Sequence, residues 1–296
     1  MPQITSALAT GTTAPPTSPA PALKRRSRTT GERLQTVLFI ASLGWLALLL
    51  VLMFVSMATP WLDPFQQDFG ATKQAPGFAH PFGTDANGRD VLARTVAGAQ
   101  NSFTVAAITL VVGAVTGSVI GIVCGYFRGW FDSVVGLALD TLMAFPALML
   151  IILLVSFRGP SLWTIGGAIG LLMIPSFARV TRSITLSVRS REYVQAAVLI
   201  DTPTPRILLT AVLPAVAPVL VAYAFTAVTV GIVAEGSMSF LGYGLAAPAP
   251  SWGGIIAEGR TALAQAPWIT LAPAATLTIT VLAINVIGER FKEKRK

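Results

Sequence analysis

The sequence holds one cysteine and one histidine in 296 residues, which removes most of the usual site chemistries. Cys124 alone excludes an internal disulfide and any multi-cysteine metal site. It lies in an apolar, glycine-rich run and reads as a small packing residue. His80, followed by Pro81, reads as a surface or packing residue, since a two-histidine metal site or a His-based triad would have to draw on a partner subunit. No G-x-x-x-x-G-K-[ST] occurs, so the chain does not bind nucleotide through a P-loop, and the run GYGLAAPAPSWGG lacks the phosphate-binding helix pattern after its glycines. Charge is scarce too. Only 11% of residues are charged, against about a quarter in soluble domains.

What is abundant is apolar length. Hydrophobic residues make up 53% of the chain and the mean hydropathy is +0.70, the balance of a polytopic membrane protein. Six runs approach the roughly 20 residues needed to cross the hydrocarbon layer. They are Val37–Met57, Ser102–Cys124, Ser133–Val155, Leu162–Ala178, Val212–Ala234 and Trp268–Gly288. The fourth is the weakest, being short and glycine-rich and carrying Pro175. With six spans both termini share a side. Of the 21 Lys and Arg, only Lys73, Arg89, Arg94, Arg158 and Arg260 fall on the opposite side. That bias places both ends in the cytoplasm. The net charge of +8 therefore reads as a topology signal with attraction to anionic lipid headgroups, and requires no nucleic-acid partner.

The segments between spans are uneven. The first 23 residues are rich in Thr, Pro and Ala, lack periodicity and are expected to stay disordered. The basic cluster KRRSRTTGER then leads into the first span, which is too long, and lacks a clear cleavage site, for a signal peptide. In the outer loop 58–101, Gly83, Asn87 and Gly88 are turn formers. Asp90 favours a helix start there, and an interfacial amphipathic helix is expected to lead into the second span. The last outer loop, Glu235 to Pro267, has the glycines, prolines and aromatics of a loop or re-entrant segment held against protein.

Ionisable residues inside spans mark transport paths or ion coupling. Asp140 is the only acidic residue well inside a span, and Glu235 sits at the outer end of the fifth. Asp140 reads either as a helix-packing group or as part of a translocation path, with Glu235 a second candidate for the path. A secondary transporter would show more midplane polar groups and matched Gly/Pro breaks in two halves. No such repeat is visible.

The long cytoplasmic loop, 179–211, carries the remaining chemistry. In REYVQAAVLID, Tyr193, Ala196, Ala197 and Ile200 fall on one face of a short helix, and Glu192 suits the positive end of its dipole. The small pair Ala196–Ala197 permits close approach. The helix should stop at Asp201, because Pro203 and Pro205 cannot continue it. RILLTAVLP then restarts a helix into the fifth span. Such a knob fits a groove on a soluble partner, or lies flat on the lipid.

EYVQAAVLIDTPTPRILLTAVLP resembles the EAA loop of binding-protein-dependent ABC importer permeases, with Glu192, Ala196, Ala197, Ile207, Leu213 and Pro214 matching its pattern. Asp201 stands where members usually have Gly. HPFGTDANGRDVLART, FPALML and SFLGYGLAAPAPSWGGII are similar to segments of C-type permease subunits of the dipeptide/oligopeptide/nickel group. The resemblance implies an all-α fold of six transmembrane helices, the type I ABC importer permease fold. It divides the chain into a cytoplasmic tail (1–33), a first helix with its outer loop (34–101) and a five-helix permease core (102–296).

It further implies a translocation subunit in the bacterial plasma membrane, not an enzyme, that carries peptides along a path shared with a B-type permease. An extracytoplasmic solute-binding protein delivers substrate. Two ATPase subunits bind the ATP and Mg, and this chain binds no cofactor. Arg191, Glu192, Tyr193, Ala196, Ala197, Ile200 and Asp201 are then expected to couple to the ATPases. Nickel or another small solute is the alternative cargo. A secondary transporter, or a structural membrane protein, is a more distant reading.

Overall fold

The computed structural model describes residues 30–59 and 62–293. The N-terminal tail expected to be disordered, and the charges from Lys24 to Arg28 and from Lys294 to Lys296, lie outside the described residues. The helices are α1 (Thr30–Ala58), α2 (Val91–Phe127), α3 (Trp130–Ala144), α4 (Ala147–Arg158), α5 (Leu162–Arg189) and α6 (Glu192–Leu199). They continue as α7 (Thr204–Phe240), α8 (Trp252–Gly259) and α9 (Trp268–Glu293). Among the described residues there is no strand, only two isolated β-bridges, Gln67 to Arg89 and Thr84 to Asp90. The chain is an all-helical polytopic membrane protein.

The α2–α5 pair is the spine. Gly113, Gly117, Gly121 and Gly125 recur every fourth residue of α2 and face the α5 backbone. A Cβ at Gly121 would stand 2.4 Å from the Ala178 carbonyl oxygen, and one at Gly117 2.6 Å from Phe177 Cβ. Gly166 and Gly170 of α5 reciprocate: a Cβ added at either would stand 2.8 Å from the Cβ of Ile108 or Val112 respectively. Small residues at this spacing let helices close to backbone contact, which is how helices associate where lipid supplies no hydrophobic drive.

Five continuous helices, α1, α2, α5, α7 and α9, are long and apolar enough to cross a membrane. The expected single span Ser133–Val155 is corrected: it is broken into α3 and α4, bent by 88°. The break falls at Phe145, extended at φ −77° and ψ 137°, where the Pro146 ring disfavours the helical conformation at the residue before it. α4 buries Ile151 and Val155 against Ile165, Ile169 and Met238. α3 buries nothing.

The fourth span is also longer than expected. α5 runs through Pro175 to Arg189, so the loop begins at Ser190 and not at Arg179. The glycine seam holds α5 on both sides of the proline, which keeps it helical where Pro146 breaks α3 from α4. At the far side of the loop, Pro214 and Pro218 lack the N–H of a regular turn, and α7 widens to a π-turn over Leu208–Val212.

The expected amphipathic helix at Asp90 is the first part of α2 itself. The Asp90 carboxylate caps it, accepting from the Ala93 N–H at 2.8 Å, and is held in turn by His80 Nδ1 at 2.7 Å. Over this end of the molecule lies α8. Its buried Trp252 donates to the Thr95 carbonyl at 3.0 Å and meets Phe103 edge to face.

Candidate coupling and translocation sites

At the opposite end from α8, the chain leaves α5 at Ser190, forms α6 and returns through Pro203 into α7. α6 starts with Glu192 in its first turn, beside the free N–H groups of the helix start. One residue anchors it. Val194 is buried with Tyr126, Val188, Ile207 and Val212, and Ala197 is half-buried against the same cluster. The Arg189 guanidinium lies 5.3 Å over the Tyr126 ring and ties α5 to the end of α2.

The rest of α6 faces outward. Tyr193, Val198, Leu199 and Ile200 are exposed, Leu199 to 84%. Arg191, Glu192, Ala196 and Asp201 are exposed as well. The face expected at Tyr193, Ala196, Ala197 and Ile200 is therefore split: Ala197 turns toward the protein and Leu199 takes a place on the open side. The Val194 anchor was missed in the sequence, where nothing local separates it from the exposed Val198 one turn on.

The helix ends by a bonded turn. Thr202 N–H donates to the Ala197 carbonyl at 3.0 Å, and Asp201 N–H to the Val198 carbonyl at 3.1 Å. Asp201 itself sits at φ +53°. This is the left-handed Schellman ending that glycine most often supplies. Aspartate is among the few side chains that tolerate it.

The carboxylates in the spans have different surroundings. Glu235 lies within α7, fully buried, and accepts from Ser102 Oγ at 2.7 Å and Ser239 Oγ at 2.6 Å. Ser251 donates to Ser239 at 2.9 Å, so the chain of hydroxyls joins α2, α7 and the cap of α8. Asp140, on α3, is 64% exposed at its side chain and pairs with Arg179 of α5, itself 53% exposed. Nearer the α6 end, Asp132 takes both Nε and Nη2 of Arg182 at 2.6 Å each. The two pairs line a cavity of about 370 Å³ between α2, α3 and α5, with Gly121, Cys124 and Gly136.

A third charged group at the α8 end was read in the sequence only as topology charge. Arg94, 1% exposed, and Arg89 share the carboxylates of Asp85 and Glu258. Arg94 Nη1 meets Asp85 at 2.8 Å and Glu258 at 2.6 Å, which clamps the turn before α2 onto α8. Two carboxylates and two guanidiniums cancel, the condition for burying charge at all.

Residues 117–293 match the family described as binding-protein-dependent transport system inner membrane component. The chain is 34% identical over 261 residues to the glutathione transport system permease protein of Salmonella typhimurium, covering 88% of this chain and 86% of that protein. It is 39% identical over 231 residues to a Sinorhizobium fredii permease protein named for peptide ABC transport, covering 78% of this chain and 79% of the other. A Brucella suis permease protein named for peptide transport is 37% identical over 252 residues, 84% of each.

Proposed function

The chain belongs to the binding-protein-dependent transport system inner membrane components, and from that premise we propose that it is the C-type permease of an ATP-driven peptide importer. It forms the path together with a B-type permease. A solute-binding protein delivers the peptide, and two ATPase subunits carry ATP and Mg. Both termini and α6 then lie in the cytoplasm, in keeping with the Lys and Arg distribution.

The observation that carries this reading is α6: a helix tied to the spans through Val194, with an uncovered apolar tip at Leu199 and Ile200. Closure of an ATPase dimer gripping that tip would pull on α5 and α7 together, because the Val194 cluster joins them to the end of α2 at Tyr126. Glu192, Tyr193, Ala196, Ile200 and the turn at Asp201 form the rest of the grip. Asp140 belongs to the path in this reading; Glu235 joins it only when α8 lifts away. The peptide cargo is supported by the relatives' names.

Reconstitution with the three kinds of partner tests it. Peptide uptake should require ATP and every subunit, and Glu192→Lys, Ala197→Asp and Leu199→Asp should each abolish it with membrane insertion intact. Leu199→Asp is the cleanest of these, since Leu199 supports nothing inside the chain. Uptake by this chain alone under an ion gradient would establish a secondary transporter.

A further inference from the structure

The two ion pairs between α3 and α5 differ in a way that matters for a solute. The Asp132–Arg182 pair is bidentate, with the carboxylate only 15% exposed, so both partners are committed to each other. The Asp140–Arg179 pair touches through Arg179 Nη2 and Asp140 Oδ1 alone. The second Asp140 oxygen and the rest of the Arg179 fork are unused, and both side chains stand more than half exposed.

Lipid does not accommodate such a surface. Ionised groups within spans face a bundle interior or water. α3 buries nothing and ends in the break at Phe145, so this flank of the molecule is open and carries charge. The adjoining cavity, about 370 Å³, lies within the roughly 300–1,000 Å³ of small-molecule sites.

From this geometry we infer that the Asp140–Arg179 pair is a contact site for zwitterionic peptides, Asp140 receiving the terminal ammonium and Arg179 the terminal carboxylate. The inference rests on the peptide-importer reading above and gives the path a named station. Two Asp and two Arg leave the cavity neutral, so it offers no net attraction to a metal cation or a simple anion. A molecule carrying both charges can instead exchange one ion pair for two. Arg179 suits the role because its planar fork matches a carboxylate. The neighbouring bidentate pair keeps α3 on α5 while the open one exchanges partners.

The test uses the complete importer in proteoliposomes, with Gly136→Cys in a Cys124→Ser background. Gly136 lines the cavity, and a Cβ there meets nothing within 4 Å. A cationic methanethiosulfonate, which reacts only with thiols in water, should label this cysteine. A mixture of unblocked di- and tripeptides should slow labelling, whereas the same peptides blocked at both ends, or nickel ion, should not. Adding Arg179→Gln or Asp140→Asn should raise the half-protecting concentration about tenfold, the effect of one lost charged contact of ~1.4 kcal/mol, and Arg179→Lys should fall between. Size exclusion establishes that each variant assembles.

No labelling would mean that the cavity is closed to water in the assembled importer, and overturns the proposal. Equal protection by blocked peptides, or none by unblocked ones, overturns it as well. ATP-driven uptake of the unblocked mixture by the unmodified importer is measured in the same vesicles. Its absence overturns the transport reading itself, whereas uptake without protection overturns the site alone.

Discussion

Asp201 shows how much one backbone angle decides. The α6 ending needs a residue at φ +53° whose N–H and following N–H reach back to the last carbonyls. Aspartate reaches that region at a cost of about 1 kcal/mol, which glycine avoids. Asp201→Gly should therefore keep uptake and raise the Tm of the solubilised protein slightly. Asp201→Val, whose branched Cβ cannot enter the region without strain, should lower Tm and uncouple uptake from ATP hydrolysis. Glu235 makes a different kind of prediction. Ser102 and Ser239 both donate to it in a fully buried place, so Glu235→Ala leaves hydroxyls without an acceptor. The loss should be about 1–3 kcal/mol, seen as a drop in Tm. Glu235→Gln retains an acceptor and should lose less.

Among the elements, the α2–α5 seam should tolerate least. Gly121→Ala would bring a methyl group to 2.4 Å from a backbone oxygen that cannot move aside, whereas Gly136→Ala meets nothing. Overpacking of this kind costs typically 1–3 kcal/mol. Gly121→Ala should thus reduce the yield of monodisperse protein on fluorescence-detected size exclusion, with Gly136→Ala unchanged. The four-residue glycine period was present in the sequence, but a hydropathy reading weighs the composition of a run and not its contact face. The same blindness explains the broken span. Apolar character continues across Phe145 and Pro146, and nothing local records the 88° change of axis. Pro175 was the more suspect of the two prolines, yet α5 passes through it because the glycine seam holds both its sides. α6 was legible because its start, charged residues and proline stop are all local. The ion pairs were not, since Asp140 and Arg179 lie 39 residues apart and Asp132 and Arg182 lie 50 apart.

At the scale of the whole molecule, the two ends of the bundle are built for different tasks. The α8 end is closed by a neutral group of four charges, Asp85, Arg89 and Arg94 buried and Glu258 at the surface, and by a buried Trp252, while the α6 end leaves an apolar tip uncovered. The flank between them is incomplete. Trp130, Val134, Leu137, Met143 and Phe145 are exposed along α3 and at its break, next to charges that lipid disfavours. Lipid would satisfy the apolar side chains but not the charged pairs; a water-lined interface with another polytopic subunit satisfies both. A chain that depends on such a neighbour gains stability from it by mass action. Co-expression with the B-type permease should therefore raise the Tm of the solubilised protein by several degrees and shift it to a heterodimer on size exclusion. Leu137→Arg on the α3 flank, away from the glycine seam and from α6, should cancel that gain while leaving the Tm of the chain alone unchanged. If the chain unfolds at the same temperature with and without the second permease, α3 faces lipid after all and the path lies on another side of the α2–α5 spine.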